Sequence, residues 1–311
     1  MKVNISSDEN TRVADDGNVG MIAKKRSRAL NKGTVSFNGP AKYSIGLLAT
    51  DKGEGKDKYG TIIYPPAKIL NQVNGKILGG LNGTKLENTI GMAILKDAEG
   101  QNAGKIEMNG SAVTAVHNDS GTFTMVSGSI KTTGDNSISL YSKGINSTTN
   151  ITGGTISAGN NAVALYPDNK TTINLGGTAK LEVLNSGLMF YNYDSKSGNS
   201  NGIVNLVADI NGDVKSGGTV FYFKGASPNF STLINNMFTG PGKLKLKMED
   251  KSTLFVLESP SGGPIKLSTI GSFSSPYSLG SKIDLKEYLD FVALTIISDV
   301  MPLENINVPL V

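Results

Sequence analysis

Short runs of alternating apolar and small or polar residues recur along the chain at a nearly fixed interval. The runs Ile90-Gly91-Met92-Ala93, Val113-Thr114-Ala115-Val116, Ile138-Ser139-Leu140-Tyr141, Val163-Ala164-Leu165-Tyr166 and Leu188-Met189-Phe190-Tyr191 begin 23, 25, 25 and 25 residues apart. A period of two marks a strand with one buried face, whereas a helix would space apolar residues by three and four. Upstream, Val19-Gly20-Met21-Ile22 and Ile45-Gly46-Leu47-Leu48 fit the same pattern 26 residues apart. The 45 residues from Ile45 to Ile90 fit either two coils or one coil with an inserted loop around Lys68 to Asn82.

A second series follows these runs: Gly33-Thr34-Val35, Gly60-Thr61-Ile62, Gly104-Lys105-Ile106, Gly128-Ser129-Ile130, Gly154-Thr155-Ile156 and Gly177-Thr178-Ala179. Glycine suits a corner that needs positive φ, and β-branched residues suit the strand that leaves it. Turn-forming clusters at 118–121, 146–150 and 168–170 lie between the two series. A period near 25 with two or three short strands per coil fits a leucine-rich repeat or a parallel β-helix. The fixed Leu and Asn ladder of the former is missing.

The expected fold class is therefore all-β: a right-handed parallel β-helix over residues 15–275, a solenoid of about 25-residue coils with a short C-terminal helix. Like residues would stack at roughly 4.8 Å per coil, and about ten coils would make a rod on the order of 50 Å long. Residues 1–14 are read as disordered or as a partial first coil. After Tyr191 the repeat loosens. Val220-Phe221-Tyr222-Phe223 follows 32 residues on and Leu254-Phe255-Val256-Leu257 another 34, so Tyr193 to Asn201 and Gly225 to Gly242 are expected as projecting loops. Leu285, Leu289, Val292 and Ile296 recur at helical spacing, which predicts a helix at about 283–297 with Ser281 and Asp284 as its cap. Residues 276–311 thus read as a helical cap or linker and an extended tail carrying Pro302 and Pro309.

Composition adds constraints. With no cysteine, disulfides, thiol catalysis and cysteine-ligated metals are excluded. A net charge of +4, with both signs interspersed, does not indicate a nucleic-acid binder. Lys24-Lys25-Arg26-Ser27-Arg28 is the exception, read as a solvated turn or as a patch for a polyanion or cell surface. Met1 to Asn10 is polar, without the apolar core of a secretion signal, and no stretch is apolar enough to span a bilayer as a helix.

The strings at 18–39, 89–110 and 139–161 (NVGMIAKKRSRALNKGTVSFNG, TIGMAILKDAEGQNAGKIEMNG and SLYSKGINSTTNITGGTISAGNN) resemble the passenger repeats of bacterial autotransporter adhesins, which use type V secretion. The I-G-M motif followed by N-x-G-x-I is most similar to the large fusobacterial RadD-like proteins. The resemblance covers about residues 15–260 and rests on structural motifs. It implies a monomeric rod displayed on the bacterial surface, anchored in the outer membrane or secreted, that binds host glycoproteins, glycans or partner bacteria. It also implies a secretion signal and a C-terminal translocator β-barrel, both expected outside this chain.

Catalytic patterns compete with that implication. Polysaccharide lyases and glycoside hydrolases also use β-helices, and Asp119 and Asp168 are the nearest approach to a carboxylate pair, although turn chemistry explains both. His117, the single histidine, has no partner for a metal site or triad and reads as a surface or turn residue. Gly80 to Lys85 and Gly240 to Lys243 lack phosphate-loop spacing and read as turns. No cofactor or metal is expected. One contact strip stands out: Tyr141, Tyr166, Phe190, Tyr191 and Tyr193 fall at matching or nearby places on successive coils, either as a binding surface or as a structural ladder. Three functions remain open: adhesin scaffold, polysaccharide-cleaving enzyme and passive spacer.

Overall fold

The structure is a computed structural model that describes residues 4–7, 11–13, 17–37, 40–56, 58–83, 85–168, 171–193, 202–224, 237–249, 251–258 and 283–284. Three sheets of nine, ten and nine strands form the walls of a parallel β-helix, and each takes its strands from successive coils in chain order. The first sheet contains Asn4–Ser7, Arg28–Asn31, Lys68–Asn71, Glu99–Asn102, Thr122–Met125, Thr148–Ile151, Thr172–Leu175, Ile203–Leu206 and Phe238–Thr239. The second contains Thr11–Val13, Thr34–Phe37, Lys76–Gly79, Lys105–Asn109, Ser129–Thr133, Thr155–Gly159, Lys180–Leu184, Ile210–Val214, Leu244–Met248 and Ile283–Asp284. The third contains Val19–Lys24, Ile45–Thr50, Ile90–Leu95, Thr114–Asp119, Ile138–Lys143, Val163–Pro167, Leu188–Tyr193, Thr219–Lys224 and Thr253–Glu258. At the usual spacing of neighbouring strands, nine coils make a rod roughly 40 Å long.

In the first two sheets inward and outward residues alternate, with Thr155–Gly159, where Ser157 is also covered, as an exception. In the second sheet Val35, Ile77, Ile106, Ile130, Ile156 and Leu181 form one inward row, which gives the core a continuous aliphatic spine. The third sheet does not alternate. The second and third residues of its strands both point inward, as Ala115 with Val116, Ala164 with Leu165, Met189 with Phe190 and Val220 with Phe221. A doubled inward step hides the phase of the repeat. Ile90 pairs with Thr114, and Thr114 with Ile138, so both intervals are 24 and the alignment through Val113 is off by one. The same slip affects Val220 and Leu254, because Thr219 and Thr253 occupy the equivalent positions.

Other expectations change too. Ile45 pairs directly with Ile90, so a single coil lies between them. Its insertion is residues 51–67, whereas Lys68–Asn71 and Lys76–Gly79 are wall strands. The insertion carries an antiparallel ribbon of Gly55–Lys56 with Ile62–Ile63. At its base the Ala67 N–H donates to Asp51 O at 3.0 Å and the Gly53 N–H to Pro65 O at 3.0 Å. Gly60 therefore belongs to this ribbon, and the missed corner glycine is Gly75, just before Lys76. Gly177 also leaves the series, since Thr155 pairs with Lys180. Ile283–Asp284 pairs with Leu244–Lys245 as a strand, which corrects the start of the expected helix; residues 285–297 lie outside the described residues. The expected loops at 194–201 and 225–236 also lie outside them, but Phe238–Thr239, within the second, is a strand.

Two features lock neighbouring coils together. At the corner between the first and second sheets, the buried Asn31 donates from Nδ2 to Asn71 Oδ1 at 2.7 Å, and Asn71 donates to Asn102 Oδ1 at 2.8 Å. At the same corner Gly128 has φ 79°, and a Cβ there would lie 2.0 Å from Gly104 O, so only glycine fits.

Candidate functional site

The three outer walls differ in chemistry, and two are largely satisfied by their own side chains. On the first, Asn174 donates to Asn150 Oδ1 and Asn205 to Asn174 Oδ1, both at 2.8 Å. On the second, Lys105 lies 2.6 Å and Lys131 3.7 Å from Glu107, while Lys245 lies 2.9 Å from Asp209. Their lysines are exposed or partly exposed, and the pairs neutralise one another's charge on this wall. The third wall carries rings.

Because the fourth residue of each third-sheet strand points outward, register stacks Leu48, Ala93, His117, Tyr141 and Tyr166 in one row. Tyr191 and Tyr222 continue it. Ring centroids are 5.1 Å apart for His117 and Tyr141, 5.0 Å for Tyr141 and Tyr166, 5.0 Å for Tyr166 and Tyr191 and 5.7 Å for Tyr191 and Tyr222. The interplanar angles of the four pairs are 72°, 33°, 83° and 21°, so edge-on contacts alternate with one tilted and one stacked contact. Neighbours cover much of each ring, and all five side chains are only partly exposed. What the column offers a partner is ring edges, the faces left open at the edge-on steps and a line of phenolic oxygens.

The structure thus brings together Tyr141, Tyr166 and Tyr191 from the expected strip. It removes Phe190, which is 1% exposed and packs inside against Phe221 and Phe238 at centroid distances of 5.5 and 5.2 Å. Phe190 is the third residue of its strand, one of the doubled inward pair. Tyr193 lies two positions beyond Tyr191 in the same strand, opposite Lys224, and its side chain lies outside the described residues. His117 and Tyr222 complete the column but escape the sequence pattern, because the one-residue slip puts Val116 and Phe223 in their places.

Polar groups flank the column. Tyr141 Oη donates to Asp168 Oδ2 at 2.7 Å, joining two coils. Burial, and then this donated bond, push the Tyr141 phenol far above its ordinary range and keep it neutral. Asp119 pairs in register with Lys143, which therefore stands between Asp119 and Asp168 along the axis. Asp119 also accepts a bond from Ser120 Oγ at 3.0 Å. His117 lies in a strand rather than a turn. Burial depresses its pKa, Asp119 opposes that shift and Lys143 reinforces it, and its Nε2 is buried without a hydrogen-bond partner. The geometry favours an uncharged imidazole that serves as a ring in the column.

Among the described residues no group of three or more His, Asp or Glu side chains is placed to hold a metal ion. No helix among them is long and apolar enough to cross a membrane. No family model, curated protein or solved structure matches the chain.

Proposed function

We propose that this β-helix is an adhesin scaffold, a surface-displayed passenger of the autotransporter kind that attaches a bacterium to host cells or to other bacteria without chemical turnover. The observation that carries the reading is the column of His117, Tyr141, Tyr166, Tyr191 and Tyr222 on the outer face of the third sheet. Ring-to-ring contact holds these side chains in place before a partner arrives, so binding sacrifices little rotamer freedom. Repetition at every coil supplies many weak contacts along one line, which suits a glycoprotein, a glycan or a partner cell surface. A non-catalytic role is supported by the acids beside the column. Glycoside hydrolysis needs two carboxylates facing one bond, whereas Lys143 separates Asp119 from Asp168, and Asp168 is engaged by Tyr141.

The test uses the purified chain and its Tyr141→Ser/Tyr166→Ser variant, both shown folded by circular dichroism. Binding to host cells and to partner bacteria is expected to fall about tenfold in the variant, since each aromatic ring that meets the partner contributes roughly 0.5–1.5 kcal/mol. Unchanged binding would remove the column from the site. Release of reducing ends or unsaturated sugars from a polysaccharide panel would replace adhesion with catalysis, and failure to bind any surface would leave a spacer.

A further inference from the structure

A groove of about 620 Å³ lies over the first sheet beside the insertion of residues 51–67, away from the aromatic column. Parallel register stacks Arg28, Lys68 and Glu99 along its floor, with Gln101 two residues beyond Glu99 on the same outward face, and Arg26 and Pro65-Pro66 form its wall. The solenoid therefore brings together two parts of the sequence that look unrelated, the basic run at 24–28 and the insertion.

The positive charge here is incompletely neutralised. Lys68 pairs with Glu99 at 2.5 Å, and nearby Lys52 pairs with Asp97 at 3.0 Å. Among the described residues Arg28 has no ion pair, and the Arg26 guanidinium donates to a neutral acceptor, Glu54 O, at 2.8 Å. The site is also prearranged. Ser27 locks the basic turn, accepting from the Lys24 N–H at 2.7 Å and donating to Lys24 O at 2.9 Å. The insertion lies directly on Arg26: a Cβ at Gly53 would sit 2.9 Å from Arg26 Cγ, and one at Gly55 would sit 2.7 Å from Nη1.

We propose that this groove is a second binding site, for an acidic polysaccharide bearing sulfate or carboxylate groups. Each guanidinium presents paired N–H donors that match two oxygens of a carboxylate or of a sulfate. Gln101 provides donor and acceptor for sugar hydroxyls, and Pro65-Pro66 provides an apolar wall for a ring face. From Arg28 to Glu99 the floor spans three coils, about 10 Å, so an extended chain lies along the rod axis. A flat lipid surface does not reach such a floor, and a net charge of +4 spread over the whole chain is too small for the many phosphate contacts of nucleic acid.

The experiment titrates the purified full chain, by calorimetry at low and high salt, with a size-defined heparin oligosaccharide, a hyaluronan oligosaccharide, neutral dextran, phosphatidylserine vesicles and duplex DNA. The expected result is salt-sensitive binding of heparin, hyaluronan or both, none of dextran, and a loss of about tenfold for each of Arg26→Ala and Arg28→Ala. Binding of heparin alone assigns the site to sulfate, and binding of both to the anion in general. Tyr166→Ser is expected to leave this affinity unchanged, so failure here and failure of the aromatic column are read separately. Full affinity in a folded Arg26→Ala/Arg28→Ala chain, no binding of either acidic glycan, or binding only to phosphatidylserine vesicles or DNA would overturn the proposal.

Discussion

Coils on either side of residues 99–119 share one hydrophobic core but hold the same corner of the tube with different chemistry. Toward the N-terminus the core is aliphatic, with Leu47, Ile69 and Ile77 beside small residues such as Ala29, Ala49 and Ala67, and one corner is held by the amides of Asn31, Asn71 and Asn102. Toward the C-terminus that corner row becomes Met125, Ile151, Leu175 and Leu206, and Phe190, Phe221 and Phe238 pack inside. The boundary coil contains both the last amide, Asn102, and the first ring of the outer column, His117. A coil therefore needs interior residues compatible with those of its neighbours, and it does not need one particular chemistry. A row can change from amide to methyl in one step because the backbone ladder alongside it is uninterrupted.

Each half can be perturbed on its own. Phe221→Ala opens a void between Phe190 and Phe238 and is expected to cost about 3–5 kcal/mol, read as a lower urea midpoint. A cost below about 1 kcal/mol would mean that the aromatic interior is not its region's main support. Asn71→Leu keeps the branched shape but takes the acceptor from Asn31 and the donor from Asn102, and is expected to cost about 2–3 kcal/mol. Stabilisation by this change would show that the amide row serves register rather than energy. The smallest effect belongs to the boundary. With its pKa depressed by burial, folded His117 binds a proton less readily than the unfolded chain does. Its contribution is therefore complete above a pH of about 6.5 and is lost as pH falls through the folded value. Between pH 7 and pH 5 the melting temperature should drop further in the native chain than in His117→Phe, and equal drops would exclude this linkage.

The sequence reveals the coil because each coil must return a strand to the same wall, and that requirement leaves a period near 25. It hides the phase because Ala115 and Val116, like Met189 and Phe190, both face inward, so an apolar triplet has two plausible starts. Phe190 is placed on the wrong side for that reason, and His117 and Tyr222 are missed. The insertion is misplaced for another: Lys68 to Asn71 begins with a charge and ends with an amide, which resembles a loop, yet Asn71 is a buried rung. The groove beside the insertion depends on contacts between residues 26 and 54 that no local pattern announces.

The hydrogen bonds between coils run along the rod axis, so tension along that axis loads them directly. A coil that peels away releases about 25 residues, or roughly 80 Å of extended chain, in place of a rise of about 5 Å. Pulled from its two ends, the solenoid is therefore a reserve of length, drawn out turn by turn.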